Sequence, residues 1–230
     1  MTWLEPLHRR FYRERKIDAV KSTLRRLTGK RPPFRYLQPD LLDSRRYCFR
    51  LTAKAAKMLG FPARAARPLG RNALIGRYGL QWFIEVDGGD QRWLCNPREY
   101  PEVFAASAQR ASRTKFYVEK RDGGTVMGIA VVDLGSDARR MTRRVTDLLD
   151  RYLQEGWIND LIAADRFEVS FLTISQGKAD ALTRYLDLGV QRRLARRVRR
   201  LNNKASIPAR AIVVSGLIDL VPPASETRGK

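Results

Sequence analysis

Lys16 to Gly60 constrains this chain more than any other stretch, because three differently patterned segments follow one another there with little room between them. Ile17, Val20, Leu24 and Leu27 recur at helical spacing, so 17–27 is expected to be a helix with one buried face. Its other faces carry Lys21, Ser22, Thr23, Arg25 and Arg26, and Gly29 is placed to end it. Phe34–Leu37 and Arg46–Leu51 then read as two extended runs joined by a loop over 38–45 that holds Pro39, two aspartates and a serine. Alternation in the second run puts Tyr47, Phe49 and Leu51 on one face and Arg46, Cys48 and Arg50 on the other. Thr52 is an N-cap for a short helix of small residues that stops at Gly60. Ahead of this stretch, Trp3, Leu4, Leu7, Phe11 and Tyr12 mark a short amphipathic helix.

Helix, helix, arginine-rich hairpin, helix is the order of a winged helix-turn-helix, and the charge agrees with it. The chain has 230 residues and a formal net charge of +21. Residues 1–67 hold 18 basic and 5 acidic side chains, the clustering expected of a nucleic-acid footprint. Arginine exceeds lysine, which suits bidentate phosphate and guanine contacts, although high genomic GC content produces the same usage. The expected duplex-facing residues are Lys21, Ser22, Arg25 and Arg26 on the helix. Lys30, Arg31, Arg35, Arg45, Arg46 and Arg50 are expected around the wing.

The LRRLTGK segment at 24–30 and YCFRLTAKAAKMLG at 47–60 carry a resemblance to the replication-relaxation family of bacterial plasmid and mobile-element proteins. The resemblance covers roughly the first 70 residues well and the remainder loosely. It implies a DNA-binding protein of a plasmid or mobile element, acting in replication, mobilisation or transcription control. Such domains open with a further helix, so closing the core falls here to Leu74–Phe83 or to a partner chain.

Residues 61–70 read as a linker, giving an expected division into 1–68, the winged-helix domain, and 69–230, an α/β domain with a mixed sheet; the fold class is α+β. Within 71–86 the last part, LQWFIEV, is compatible with helix or strand. Arg92–Cys95, Lys115–Lys120, Val126–Leu134, Phe167–Ile174 and Ala211–Val221 are expected strands. Between them fall helices from Asn96, capped by Ser136, over 157–164 and from Ser175. A basic helix over 190–204 is open to three readings: a second DNA or RNA contact, a membrane-surface helix or a dimer arm.

The block 115–187 resembles the core of PD-(D/E)xK nucleases in degenerate form. Metal-dependent hydrolysis there would need carboxylates converging on Mg²⁺ with a lysine beside them. Glu119 and Asp133 with Lys120 or Lys115 are the candidates. The strand reads AVVDLGS, however, where the nuclease pattern requires acid-x-lysine. A Mg²⁺-dependent nuclease is therefore the alternative reading, and DNA binding without catalysis the preferred one. No cofactor or metal is expected: two cysteines and the single histidine, His8, cannot assemble the roughly four ligands of structural zinc. Phosphate-loop and Ser-His or Cys-His patterns are missing. The N-terminus is too charged for a signal peptide, and no run approaches the roughly 18 apolar residues of a membrane span. A cytoplasmic protein with buried thiols follows, its partner duplex DNA; RNA and a homodimer remain open alternatives.

Overall fold

A computed structural model describes residues 2–12, 14–29, 35–41, 47–95, 116–156, 158–201, 206–214, 216–217 and 220–221. The chain is α+β and divides into two compact units, Met1–Gly89 and Asp90–Lys230. The division falls past the expected boundary at 68, and the helix after the linker belongs to the first unit.

The N-terminal unit runs β1 (Thr2–Trp3), α1 (Leu4–Phe11), α2 (Ile17–Leu27), β2 (Leu37–Leu41), β3 (Tyr47–Leu51), α3 (Ala53–Met58) and α4 (Arg71–Trp82). Its three strands lie in the order β1–β3–β2, both pairings antiparallel. Helix α2 buries Val20 and Leu24, while Leu27 is half-buried and Ile17 is exposed, so the buried stripe is narrower than the spacing suggests. His8 closes the turn between α1 and α2 by donating from Nε2 to the Arg15 carbonyl at 2.7 Å, a structural role.

The hairpin departs from expectation in two ways. First, β2 is Leu37–Leu41, so Pro39 and Asp40 lie in the strand rather than in the loop, with Pro39 opposite Phe49. Proline is accommodated because β2 is an edge strand, where a missing N–H need not break the ladder. Second, Arg50, expected on the duplex-facing surface, is buried beside Cys48 on one face of β3, whereas Tyr47 on the other is 51% exposed. Arg50 can turn inward because Nε donates to Asp40 Oδ2 at 2.6 Å and Nη1 donates to the Ala66 carbonyl. Its charge is thereby compensated and its stem packs as an apolar rod. Burial, with the charge of Asp40 behind it, pushes the Cys48 thiol up to about 11, which leaves it unreactive at neutral pH.

Thr52 caps α3 as its sequence indicates, accepting from the Ala55 amide at 3.3 Å and donating to the Arg35 carbonyl at 2.7 Å. LQWFIEV continues as helix: α4 leads into a π-helical turn, Phe83–Asp87. Leu74, Ile75, Tyr78 and Phe83 are buried there. Helix α4 packs against β1 and the π-turn against α1. Arg10 ties them together through an ion pair to Glu85 at 3.1 Å and a bond to the Gly89 carbonyl.

The C-terminal unit holds a five-stranded sheet ordered β4 (Arg92–Cys95), β5 (Phe116–Arg121), β6 (Gly124–Val132), β7 (Phe167–Thr173) and β8 (Ala209–Val213). The first three are antiparallel neighbours and the last three parallel. The helices are α5 (Ala138–Glu155), α6 (Asn159–Ala163), α7 (Gln176–Gly189) and α8 (Ala195–Leu201). Asp137, rather than Ser136, caps α5, accepting from the Arg140 amide at 3.1 Å, and Gly156 ends it at φ 83°. Ser175 caps α7. The expected separate helix at 190–204 is instead the prolongation of α7 through a π-turn, Val190–Leu194, into α8. Residues 202–204, like the expected helix from Asn96, lie outside the described residues. Period-2 alternation splits the sheet's side chains. Phe116, Val118, Met127, Ile129, Val169 and Phe171 join Met141, Val145, Leu149, Leu182, Leu194 and Val198 in one apolar core. Cys95 belongs to that core as a buried thiol.

Tyr117 faces away from this core, opposite Gly128 on β6. Any Cβ at 128 would sit inside the buried Tyr117 ring, so only glycine fits. Gly128→Ala is expected to cost roughly 1–3 kcal/mol as overpacking. Gly123, whose added Cβ would meet no atom within 4 Å, is the control: urea unfolding should leave Gly123→Ala near wild type. Among the described residues no helix is long and apolar enough to cross a membrane.

Candidate nucleic-acid interface

In the N-terminal unit, burial of Val20 and Leu24 turns the opposite face of α2 outward. Ser22, Arg25 and Arg26 are exposed. Neither arginine has an ion-pair partner among the described residues. Lys21 is half-buried and bonds Asp18 Oδ1 at 3.0 Å, so its charge is partly spent within the helix. Thr23 donates to the Ala19 carbonyl at 3.1 Å. Arg35, at the entry to β2, is exposed. Arg50 does not belong with them, because it is buried in the hairpin as described. Lys30, Arg31, Arg45 and Arg46 lie outside the described residues.

The carboxylates considered for metal-dependent hydrolysis do not converge. Glu119 pairs in register with Val126, seven residues before Asp133, a separation of roughly 23 Å at about 3.3 Å per strand residue. Lys120 is exposed and, as the next residue along β5, points to the opposite face from Glu119. Lys115 lies outside the described residues. Among the described residues no group of three or more His, Cys, Asp or Glu side chains is placed to hold a metal ion.

Asp133, just past the end of β6, is fully buried and fully satisfied. Lys178 Nζ donates to it at 2.7–2.8 Å, the Gly135 amide at 2.9 Å and Thr173 Oγ1 at 3.5 Å. Its counter-charge is thus a lysine from the first turn of α7. Lys178 carried no local signal, since only the parallel β6–β7 pairing brings it to the strand end.

Glu119 is the hub of an ion network on the sheet face away from the core. Its carboxylate accepts from Arg92 at 2.8 Å, Arg210 at 2.5 Å and Arg121 at 3.2 Å. Glu168 accepts from Arg121 at 2.7 Å and Arg210 at 3.0 Å. A relay of hydroxyls completes the arrangement. Arg210 Nε donates to Ser170 Oγ at 2.9 Å, Ser170 meets Tyr117 Oη at 2.6 Å, and Tyr117 donates to Glu168 at 2.5 Å. Burial, followed by the Glu168 charge, pushes the Tyr117 phenol well above its ordinary value, so it stays a neutral donor. Burial alone would raise the Glu119 carboxyl. Hydrogen bonds from Arg210 and Arg92 outweigh that and hold it at about 2. These seven residues come from four strands, and sequence reasoning singled out only Glu119.

No family model, curated protein or solved structure matches the chain.

Proposed function

We propose that this chain binds duplex DNA through its N-terminal unit, folded as a winged helix-turn-helix with α2 as the helix presented to the major groove. The observation that carries the reading is the outward face of α2, where Ser22, Arg25 and Arg26 stand exposed and without ion-pair partners among the described residues. Such side chains reach base edges and phosphates. The order of elements supports it: two consecutive helices, then a hairpin whose second strand is flanked by β1, with α4 packed on β1 and its π-turn on α1. Arg35 extends the surface toward the hairpin, and Arg50 holds the hairpin's shape instead of touching nucleic acid.

In this reading Glu119 and Asp133 carry out no phosphodiester hydrolysis, because each is committed to cations at opposite ends of β6. Plasmid or mobile-element replication, mobilisation or transcription control is the setting proposed by resemblance. Replacing both arginines, Arg25→Ala with Arg26→Ala, is expected to weaken duplex binding by about 1–3 kcal/mol per specific contact. The salt dependence should also flatten by about 0.9 in log–log slope for each phosphate that the variant no longer neutralises. Filter binding over a salt series measures both, and unchanged affinity with unchanged slope would remove α2 from the interface. Structured RNA competing better than duplex DNA would reassign the partner.

A further inference from the structure

Helices α5 and α7 bound a groove that the duplex-binding reading leaves unused. Its volume is about 420 Å³. Two helical faces with matching spacing form it: Arg139, Thr142, Arg143 and Thr146 on one side, Tyr185, Leu188, Gly189 and Arg192 on the other. Gly189 lets the helices approach, since a Cβ there would meet Thr146 Oγ1 at 2.8 Å. The threonine hydroxyls are consumed by backbone carbonyls of α5, so the floor offers little polarity of its own. Tyr185 and Leu188 are 38% and 39% exposed, which leaves an apolar wall open to solvent. Around this wall stand four arginines. Arg193 is tethered to Asp147, while Arg139, Arg143 and Arg192 have no carboxylate partner among the described residues. Arg184 lies 5.9 Å from the Tyr185 ring centroid.

We propose that this groove is a second nucleic-acid site, one that takes a single-stranded segment. Guanidinium forks at the rim match phosphodiester oxygens, and an exposed aromatic ring beside them matches a base with a free face. A duplex keeps its bases stacked inward and offers no such face to Tyr185. An acidic helix from a partner protein would satisfy the charges but has no use for an aromatic platform flanked by a guanidinium. The inference stands on the C-terminal unit alone and does not depend on the role of α2.

Fluorescence anisotropy of the full-length protein with labelled oligo(dT), and separately with a labelled mixed-sequence hairpin duplex, tests it. Arg143→Ala with Arg192→Ala is expected to weaken oligo(dT) binding about tenfold or more and to lower its salt slope by about 0.7 for each phosphate no longer neutralised. Tyr185→Ala should weaken it by roughly 5- to 100-fold, the range of one base stack, and Tyr185→Phe should restore it. Duplex affinity should be unchanged in all three, and Arg25→Ala with Arg26→Ala should leave oligo(dT) affinity as in wild type. Because the altered side chains are exposed, circular dichroism should match wild type. Unaltered oligo(dT) affinity would overturn the proposal. So would equal losses for strand and duplex, or displacement of oligo(dT) by poly-glutamate but not by oligo(dA).

Discussion

Replacing Lys178 with methionine is expected to destabilise the C-terminal unit by about 3–5 kcal/mol, the cost of stranding a buried charge. Asp133 has no solvent exposure, and Lys178 is the only cation bonded to it among the described residues. Methionine keeps most of the lysine stem, so the loss reports the missing charge rather than a cavity. The Gly135 amide and Thr173 hydroxyl would remain, but two neutral donors do not balance a carboxylate in a dry site. Removing the anion as well should recover much of the loss. Lys178→Met with Asp133→Asn keeps an acceptor for Gly135, and the double-mutant cycle should give a coupling of roughly 0.5–3 kcal/mol. Urea denaturation followed by circular dichroism reads these values. A single mutant within about 0.5 kcal/mol of wild type would mean that the pair contributes nothing.

Glu119→Ala is expected to have a comparable effect, about 3–5 kcal/mol, for the converse reason: it removes the anion and leaves cations behind. Arg92, only 4% exposed, lies against that carboxylate, as do Arg210 and Arg121. The pH dependence follows from the depressed carboxyl. Its folded value of about 2 lies below the unfolded carboxylate's, roughly 4.3. Its stabilisation is therefore fully present above the unfolded value and is lost as pH falls toward the folded one. Wild-type stability should drop between about pH 5 and pH 2, and Glu119→Ala should flatten that part of the curve. Denaturant midpoints across this range measure the difference. Parallel curves for the two proteins would show that other carboxylates control acid unfolding.

Both effects concern side chains that the sequence made visible only in part, and the reason is distance along the chain. What it determined by itself was local. Helical spacing marked Val20 and Leu24 as part of a buried stripe, because residues three and four apart share a face whatever the rest of the chain does. Thr52 and Ser175 could be recognised as caps, since a cap bonds an amide three residues away. The run 115–120 was legible as a strand, but not which of its faces would join the core and which would carry the ions.

Tertiary structure decided the rest. Which face of β3 turns inward depended on Asp40 and the Ala66 carbonyl being present to receive Arg50, and alternation alone could not say which it would be. The partners of Asp133 and Glu119 stand 45 and 91 residues away at their farthest, close in space only because parallel strands bring distant segments side by side. The groove between α5 and α7 was hidden for the same reason. Each half reads as an ordinary amphipathic helix with a solvated basic edge, and the arginines become one site only when Gly189 lets the two helices close together.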